Sequence, residues 1–196
     1  MRATRLVVLA SGSGTNLQAL LDADDLGHAI VGVVSDRPTA TALERARRHG
    51  VVVHAVPMRA DRTAWEQDLI TRVDGLSPDL VVLAGFMRVL SGDFVHRWPT
   101  INVHPSLLPA FPGAHAVDDA LAWGVKISGV TVHFVDELVD HGPIIAQEAV
   151  PVEPDDTADT LHARMQRVEH RLLPEVVRAW CAGRIHRDGR HVRIRQ

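Results

Sequence analysis

Four short, unbroken apolar runs, each followed by a polar-apolar helical pattern, constrain this chain more than any other feature. The runs RLVVLA (5–10), AIVGVVS (29–35), VVVHAV (51–56) and DLVVLAG (79–85) are rich in β-branched residues and too short for helices. Between them TNLQALLDA, TALERARRHG and RTAWEQDLITRVDGL (62–76) carry helical periodicity. Strands that are apolar throughout must be covered on both faces, so the pattern predicts a parallel sheet joined by right-handed crossovers. The expected fold class is α/β, a doubly wound, mostly parallel sheet.

After Gly85 the rhythm changes. SGDFVHRW reads as a short helix, TINVH (100–104) as a fifth strand, and AVDDALAWG as a helix that stops at Gly124. ISGVTVHFV (127–135) and PIIAQEAVPV (143–152) alternate and are closely connected, which predicts an antiparallel pair closing the sheet. TADTLHARMQRVEHRLLPEVVRAWCAG reads as a long amphipathic C-terminal helix, broken or bent near Pro174. IHRDGRHVRI reads as a hairpin turning at Asp188-Gly189. The 196 residues suit a single domain with its own core.

Composition narrows the function classes. With 46% hydrophobic residues, 23% charged ones and a net charge of −3, no strong field invites nucleic acid over the surface. The exception, GRIHRDGRHVRIRQ, has five arginines and reads as a solvated basic end. A lone Cys181 has no partner for a disulfide, which points to a reducing cytoplasm. The five consecutive apolar residues near the N-terminus are too few for a signal sequence, and no run suits a membrane span. The expectation is a cytoplasmic protein without nucleic-acid or membrane partners.

Two motifs carry chemistry. In LASGSGTNLQAL, Gly12 and Gly14 sit between the first strand and the first helix, where backbone N–H groups favour an anion, and Thr15 or Asn16 is expected to cap the helix. Leu17 replaces the third glycine of a dinucleotide loop, and there is no GK[ST], so a phosphate is expected but a dinucleotide or P-loop is not. In TINVHPSLLPAFPGAHAV, Asn102 and His104 lie one strand period apart and so project to one face at the strand's C-terminal end. An amide donor beside an imidazole can serve an oxyanion or a proton transfer. Three X–Pro bonds stiffen the turn that follows, and any of them can be cis. A carboxylate is needed to set the imidazole's protonation. VDELVDHGPI offers Asp136, Glu137 and Asp140, among which spacing does not choose. His133 reads equally as core or site. Twelve histidines are present without HExxH, H-x-H or recurring Cys/His spacing, so no metal is expected.

In their order along the chain, LASGSGTNLQAL, VLAGFMRVLS, INVHPSLLPAFPGAHA and VDELVDHGPII resemble the glycinamide ribonucleotide formyltransferases of purine biosynthesis, from about Leu6 to Gly183. The resemblance implies a Rossmann-like formyltransferase fold and 10-formyltetrahydrofolate as co-substrate. It implies a phosphate-binding half to about residue 100, and a catalytic and folate-binding half over about 101–196. Gly14, Thr15 and Asn16 would hold the ribonucleotide phosphate, with Glu169 on its ribose. Met87, Arg88, Val89 and Leu90, with Asn102, would line the folate pocket, and Arg62 would stand near the glutamate tail. Asn102 and His104 would be catalytic, and the resemblance selects Asp140 as the carboxylate that raises the pKa of His104. Ala110, Phe111 and Val117 depart from the family pattern at the pocket rim. The protein would act on small molecules as a monomer or homodimer. A formyltetrahydrofolate deformylase would be expected to carry an N-terminal regulatory domain, and a methionyl-tRNA formyltransferase a C-terminal tRNA-binding one. Neither is expected on this length. A non-catalytic folate or nucleotide sensor would need none of Asn102, His104 and Asp140.

Overall fold

The computed structural model describes residues 3–195. The fold is α/β, with seven strands in a mostly parallel sheet and one antiparallel pair. The chain divides into two compact units, one up to Ile101 and one from Asn102.

The first unit contains β1 (Leu6–Leu9), α1 (Thr15–Leu21), β2 (Ile30–Ser35), α2 (Thr41–Arg48), β3 (Val53–Ala55), α3 (Arg62–Asp74), β4 (Leu80–Leu83) and α4 (Gly92–Val95). Strand order is β3-β2-β1-β4, with every recorded pairing in this unit parallel. Every residue of β1 and β4 is buried, as the unbroken LVVL of each strand requires for a sheet covered on both faces. Helix α3 starts where Asp61 accepts a hydrogen bond from the Ala64 N–H, and it buries Trp65, Leu69, Ile70 and Val73. The Trp65 indole donates to the Val56 carbonyl at 2.8 Å, so its one polar atom is satisfied inside the core.

The second unit begins within β5 (Thr100–His104) and continues through α5 (Ala116–Trp123), β6 (Ile127–Phe134), β7 (Ile144–Pro151), α6 (Ala158–Cys181), β8 (Ile185–Asp188) and β9 (His191–Ile194). β6 and β7 run antiparallel, with an irregular register where Val132 faces Ala146 but His133 faces Ile144. Helix α6 is capped by Thr157 and Thr160 and buries Leu161, Met165, Leu172, Leu173, Val176 and Val177. Of the break or bend expected near Pro174, the break does not occur, and the helix runs unbroken through it. Pro174 forfeits one backbone hydrogen bond, but the apolar stripe continues on either side and holds both halves to one core. In the C-terminal hairpin Asp188 pairs with His191, so the two-residue loop is Gly189-Arg190 rather than Asp188-Gly189, with Gly189 taking the positive φ. Among the described residues no helix is long and apolar enough to cross a membrane.

The turn after β5 is fixed by β6 and β7. The Thr131 hydroxyl donates to the Ser106 carbonyl at 2.7 Å and accepts from the Leu108 N–H at 3.1 Å. Gln147 donates to the Leu108 carbonyl at 2.8 Å, and the Leu108-Pro109 bond is cis. Gly129 makes this approach feasible, because a Cβ there would collide with the Glu148 carbonyl oxygen and the Leu107 side chain. Gly129→Ala is therefore expected to destabilise the protein by about 1–3 kcal/mol, read as a lowered urea midpoint at unchanged m-value.

Candidate active site

In the first unit the chain leaves β1 toward β2 and β3 on one side and places β4 on the other. The C-terminal ends of β1 and β4 therefore flank a switch point, the place where open α/β sheets receive ligands. The two loops there are tied together: the Ser11 N–H donates to the Gly85 carbonyl at 3.0 Å, and the Met87 N–H donates to the Ser11 hydroxyl at 2.9 Å. Gly14, at φ 72°, is the N-cap of α1, a position expected for Thr15 or Asn16. Glycine is needed there because a Cβ would come within 2.7 Å of Ala42 on α2. At Gly12 a Cβ would meet nothing within 4 Å, which leaves the main chain open to an approaching group. Arg45 steadies the loop by donating to the Ser13 carbonyl at 2.8 Å and to Gln18 at 3.0 Å. Thr15 is half-buried, Asn16 is buried, and Leu17 belongs to the core.

The loop after β4 is held by three more side chains. The Arg88 guanidinium donates to buried Asp36 at 2.6 Å, Arg62 donates to the Val89 carbonyl, and Glu66 accepts from the Ser91 N–H at 2.7 Å. These contacts leave Met87 and Val89 turned outward, 59% and 50% exposed, while Leu90 is buried. An exposed apolar pair on a pinned loop can receive a flat ligand without reorganising. Arg62, expected near a carboxylate tail, is here an anchor of that loop and stands 6.0 Å from the Trp65 ring centroid.

The second unit gathers Asn102, His104 and Asp140. Asn102 and His104 leave the same face of β5, and Asp140 comes to them from the loop between β6 and β7, at a left-handed φ of 49°. His104 Nε2 lies 2.8 Å from the Phe111 carbonyl oxygen. A carbonyl only accepts, so Nε2 carries a hydrogen and Nδ1, 3.4 Å from Asp140 Oδ2, is the nitrogen that faces the carboxylate. The same Oδ2 accepts from the Gly113 N–H at 2.7 Å. Asp140 Oδ1 accepts from the Asn102 amide at 3.3 Å and lies 3.6 Å from His133 Nε2. Burial alone would push the Asp140 carboxyl up. The His133 contact, the charge of His104, the Gly113 N–H and the charge of His133 outweigh burial and hold it below its ordinary range. Asp136 is occupied elsewhere, 2.7 Å from His141 Nδ1 and accepting from the Leu138 N–H, and Glu137 is exposed.

His133, which the sequence leaves as core or site, lies buried beside Asn102 and Asp140. Its Nδ1 donates to the Phe134 carbonyl at 2.8 Å, and its Nε2 lies 3.2 Å from the Asn102 amide nitrogen. Nothing in VTVHFV signals this, because the register irregularity at His133 has no sequence mark. The Phe111 carbonyl and Gly113 N–H escape sequence reasoning for a similar reason: Phe111 holds φ 52°, a left-handed conformation that phenylalanine does not advertise. Glu169 is buried on α6. Among the described residues no group of three or more His, Cys, Asp or Glu side chains is disposed to hold a metal ion.

A half-buried carboxylate with an imidazole and an amide, at the end of a strand, suits acyl-type transfer with proton movement. The family model for formyl transferase matches residues 4–177. The phosphoribosylglycinamide formyltransferase of Mycobacterium tuberculosis is 46% identical over 97% of this chain and 94% of its own length. The trifunctional purine biosynthetic protein adenosine-3 of Bos taurus is 40% identical, and there the chain spans 19% of the relative's length. Among solved structures, glycinamide ribonucleotide transformylase 1 from Symbiobacterium toebii superposes with a TM-score of 0.94 at 47% identity, covering 99% of this chain and 95% of that one. With the matched segment containing Asn102, His104, His133 and Asp140, the chain belongs to the formyl transferase family, in its phosphoribosylglycinamide formyltransferase branch.

Proposed function

We propose that this protein transfers the formyl group of 10-formyltetrahydrofolate to the amino group of glycinamide ribonucleotide, giving formylglycinamide ribonucleotide and tetrahydrofolate. The observation that carries the reading is the Asn102–His104–Asp140 cluster on a chain of this family. In the first unit Gly14, Thr15 and Asn16 take the ribonucleotide phosphate, for which the open main chain at Gly12 leaves room; in the second unit Glu169 is assigned to the ribose. In the first unit Met87, Arg88, Val89 and Leu90 are the folate contacts, and Arg62, besides anchoring that loop, supplies a cation toward the glutamate tail; in the second unit Asn102 is assigned to the folate.

The chemistry follows from where the hydrogens lie. The glycinamide nitrogen forms a bond to the formyl carbon as the carbonyl electron pair moves to oxygen. His104 has committed Nε2–H to the Phe111 carbonyl, so as an imidazolium it donates to that oxygen through Nδ1–H, on the side toward Asp140. Both Asn102 N–H bonds are aimed at internal acceptors, His133 and Asp140; the longer one, at 3.3 Å, is the one released to the oxyanion. One such donor is typically worth about 3 kcal/mol in the transition state. The proton lost by the attacking nitrogen is relayed through the His104–Asp140 pair to the departing folate nitrogen, a poor leaving group unprotonated. As the carbonyl re-forms, the carbon–nitrogen bond to folate breaks. No covalent enzyme intermediate is needed.

Loss of the formyl group from 10-formyltetrahydrofolate, followed with and without glycinamide ribonucleotide, tests the reading. Loss that requires the ribonucleotide is expected; equal loss without it would make water the acceptor and the protein a deformylase. His104→Ala and Asp140→Asn are each expected to lower kcat by about 10²-fold or more at unchanged fold, and normal turnover in both would refute the mechanism. The depressed Asp140 also has a stability consequence with a definite sign. Its contribution is present above the unfolded titration, near pH 4, and is lost as pH falls through the lowered value. The stability gap between wild type and Asp140→Asn should shrink as pH falls below about pH 4 in urea titrations.

A further inference from the structure

The loop that carries Asp140 is gripped from outside the catalytic cluster. Its base is closed by the Phe134 N–H donating to the Pro143 carbonyl at 2.9 Å, leaving residues 135–142 to arch between β6 and β7. At one end Arg187 of β8 lies over the Phe134 ring, 5.6 Å from guanidinium carbon to centroid, and Phe134 packs edge-on against Trp180 of α6. At the other end Arg190, in the turn between β8 and β9, donates to the His141 carbonyl at 2.6 Å. His141 is the residue after Asp140. A second Arg190 nitrogen lies 3.5 Å from His141 Nε2, and His141 Nδ1 lies 2.7 Å from Asp136. Arginine only donates, so His141 Nε2 accepts and Nδ1–H is left for Asp136. The C-terminal hairpin thus holds both ends of the loop that presents the carboxylate.

We propose that the C-terminal hairpin is a strap for the Asp140 loop and that Arg190 is a positioning residue for the reaction, acting through the main chain of His141. Asp140 sits at a left-handed φ of 49°, a conformation that a non-glycine residue keeps only when its surroundings hold it there. Inside the cluster its carboxylate is held by Gly113, Asn102 and the two histidines. The peptide that follows it is held by Arg190. A carboxylate displaced by an ångström loses its alignment with His104, which costs rate and not fold. The basic C-terminus, a solvated end by composition, then has a defined task for one of its five arginines. The kinetic part of this proposal rests on the formyl-transfer reading, whereas the strap itself does not.

The test combines amide hydrogen–deuterium exchange with steady-state kinetics on the full chain, for Arg190→Ala, Arg190→Lys and Arg193→Ala. Arg193 pairs with His186 on the hairpin and is exposed, so it serves as a control on the same element. In Arg190→Ala the amides of 136–142 should exchange about tenfold faster and kcat should fall about tenfold, with KM for either substrate moving less than about twofold. Arg190→Lys, which retains one charged donor, should recover most of both, and Arg193→Ala should match wild type. Unchanged exchange and kcat in Arg190→Ala would overturn the proposal, as would equal losses in Arg193→Ala, which would assign the effect to the hairpin as a whole. If wild type shows no ribonucleotide-dependent transfer but Arg190→Ala still frees residues 136–142, the formyl-transfer reading fails and the strap stands.

Discussion

Taking a carboxylate out of water is the expense around which the second unit is built. Burial alone would push the Asp140 carboxyl up, and it is held below its ordinary range because the ring of His133, the charge of His104 and the Gly113 N–H face it. Bringing two donors and two imidazole rings to one side chain needs unusual backbone. Phe111 and Asp140 both adopt positive φ, which costs about 1–2 kcal/mol per residue. Hydrogen bonds to a charged group contribute about 1.5–3 kcal/mol each, so those from Gly113 and Asn102 offset the two strained residues. The Thr131–Ser106–Leu108–Gln147 contacts that fix the turn, and the close approach at Gly129, serve the same end by setting where the Phe111 carbonyl and Gly113 N–H lie.

That arrangement also orients the imidazole. With Nε2–H given to the Phe111 carbonyl, the ring of His104 has one free choice of direction, and its Nδ1 side meets the carboxylate. An imidazole held through one nitrogen by a backbone acceptor is pre-organised for donation through the other. In the first unit the same logic applies to binding. Ser11, Asp36, Arg62 and Glu66 pin successive positions of the loop after β4, so a ligand there meets a surface whose ordering is already complete.

The architecture was legible because burial on both faces writes itself as unbroken apolar runs. LVVL at β1 and at β4 needed no further information, and ISGVTVHF with IIAQEAVP gave the antiparallel pair through alternation and a short connection. Asn102 and His104 were legible from strand period alone. The remainder depends on local geometry that residue type does not encode. Gly14 rather than Thr15 or Asn16 is the N-cap of α1, at a place where a Cβ would strike Ala42, 28 positions further along the chain. His133 enters the cluster beside a register irregularity, and Pro174 fails to break α6 because the apolar stripe spans it. The choice of Asp140 over Asp136 rests, in physical terms, on His141 and the Leu138 N–H having claimed Asp136.

The central claim is that His104 keeps its Nε2 hydrogen on the Phe111 carbonyl and works through Nδ1. Nitrogen-15 NMR of the imidazole in the folded, ligand-free protein tests it most directly, with His104→Gln used to assign the signals. The account predicts that Nε2 is protonated at every pH at which the protein is folded, whatever the state of Nδ1. A neutral ring protonated on Nδ1, with a bare Nε2, would contradict it.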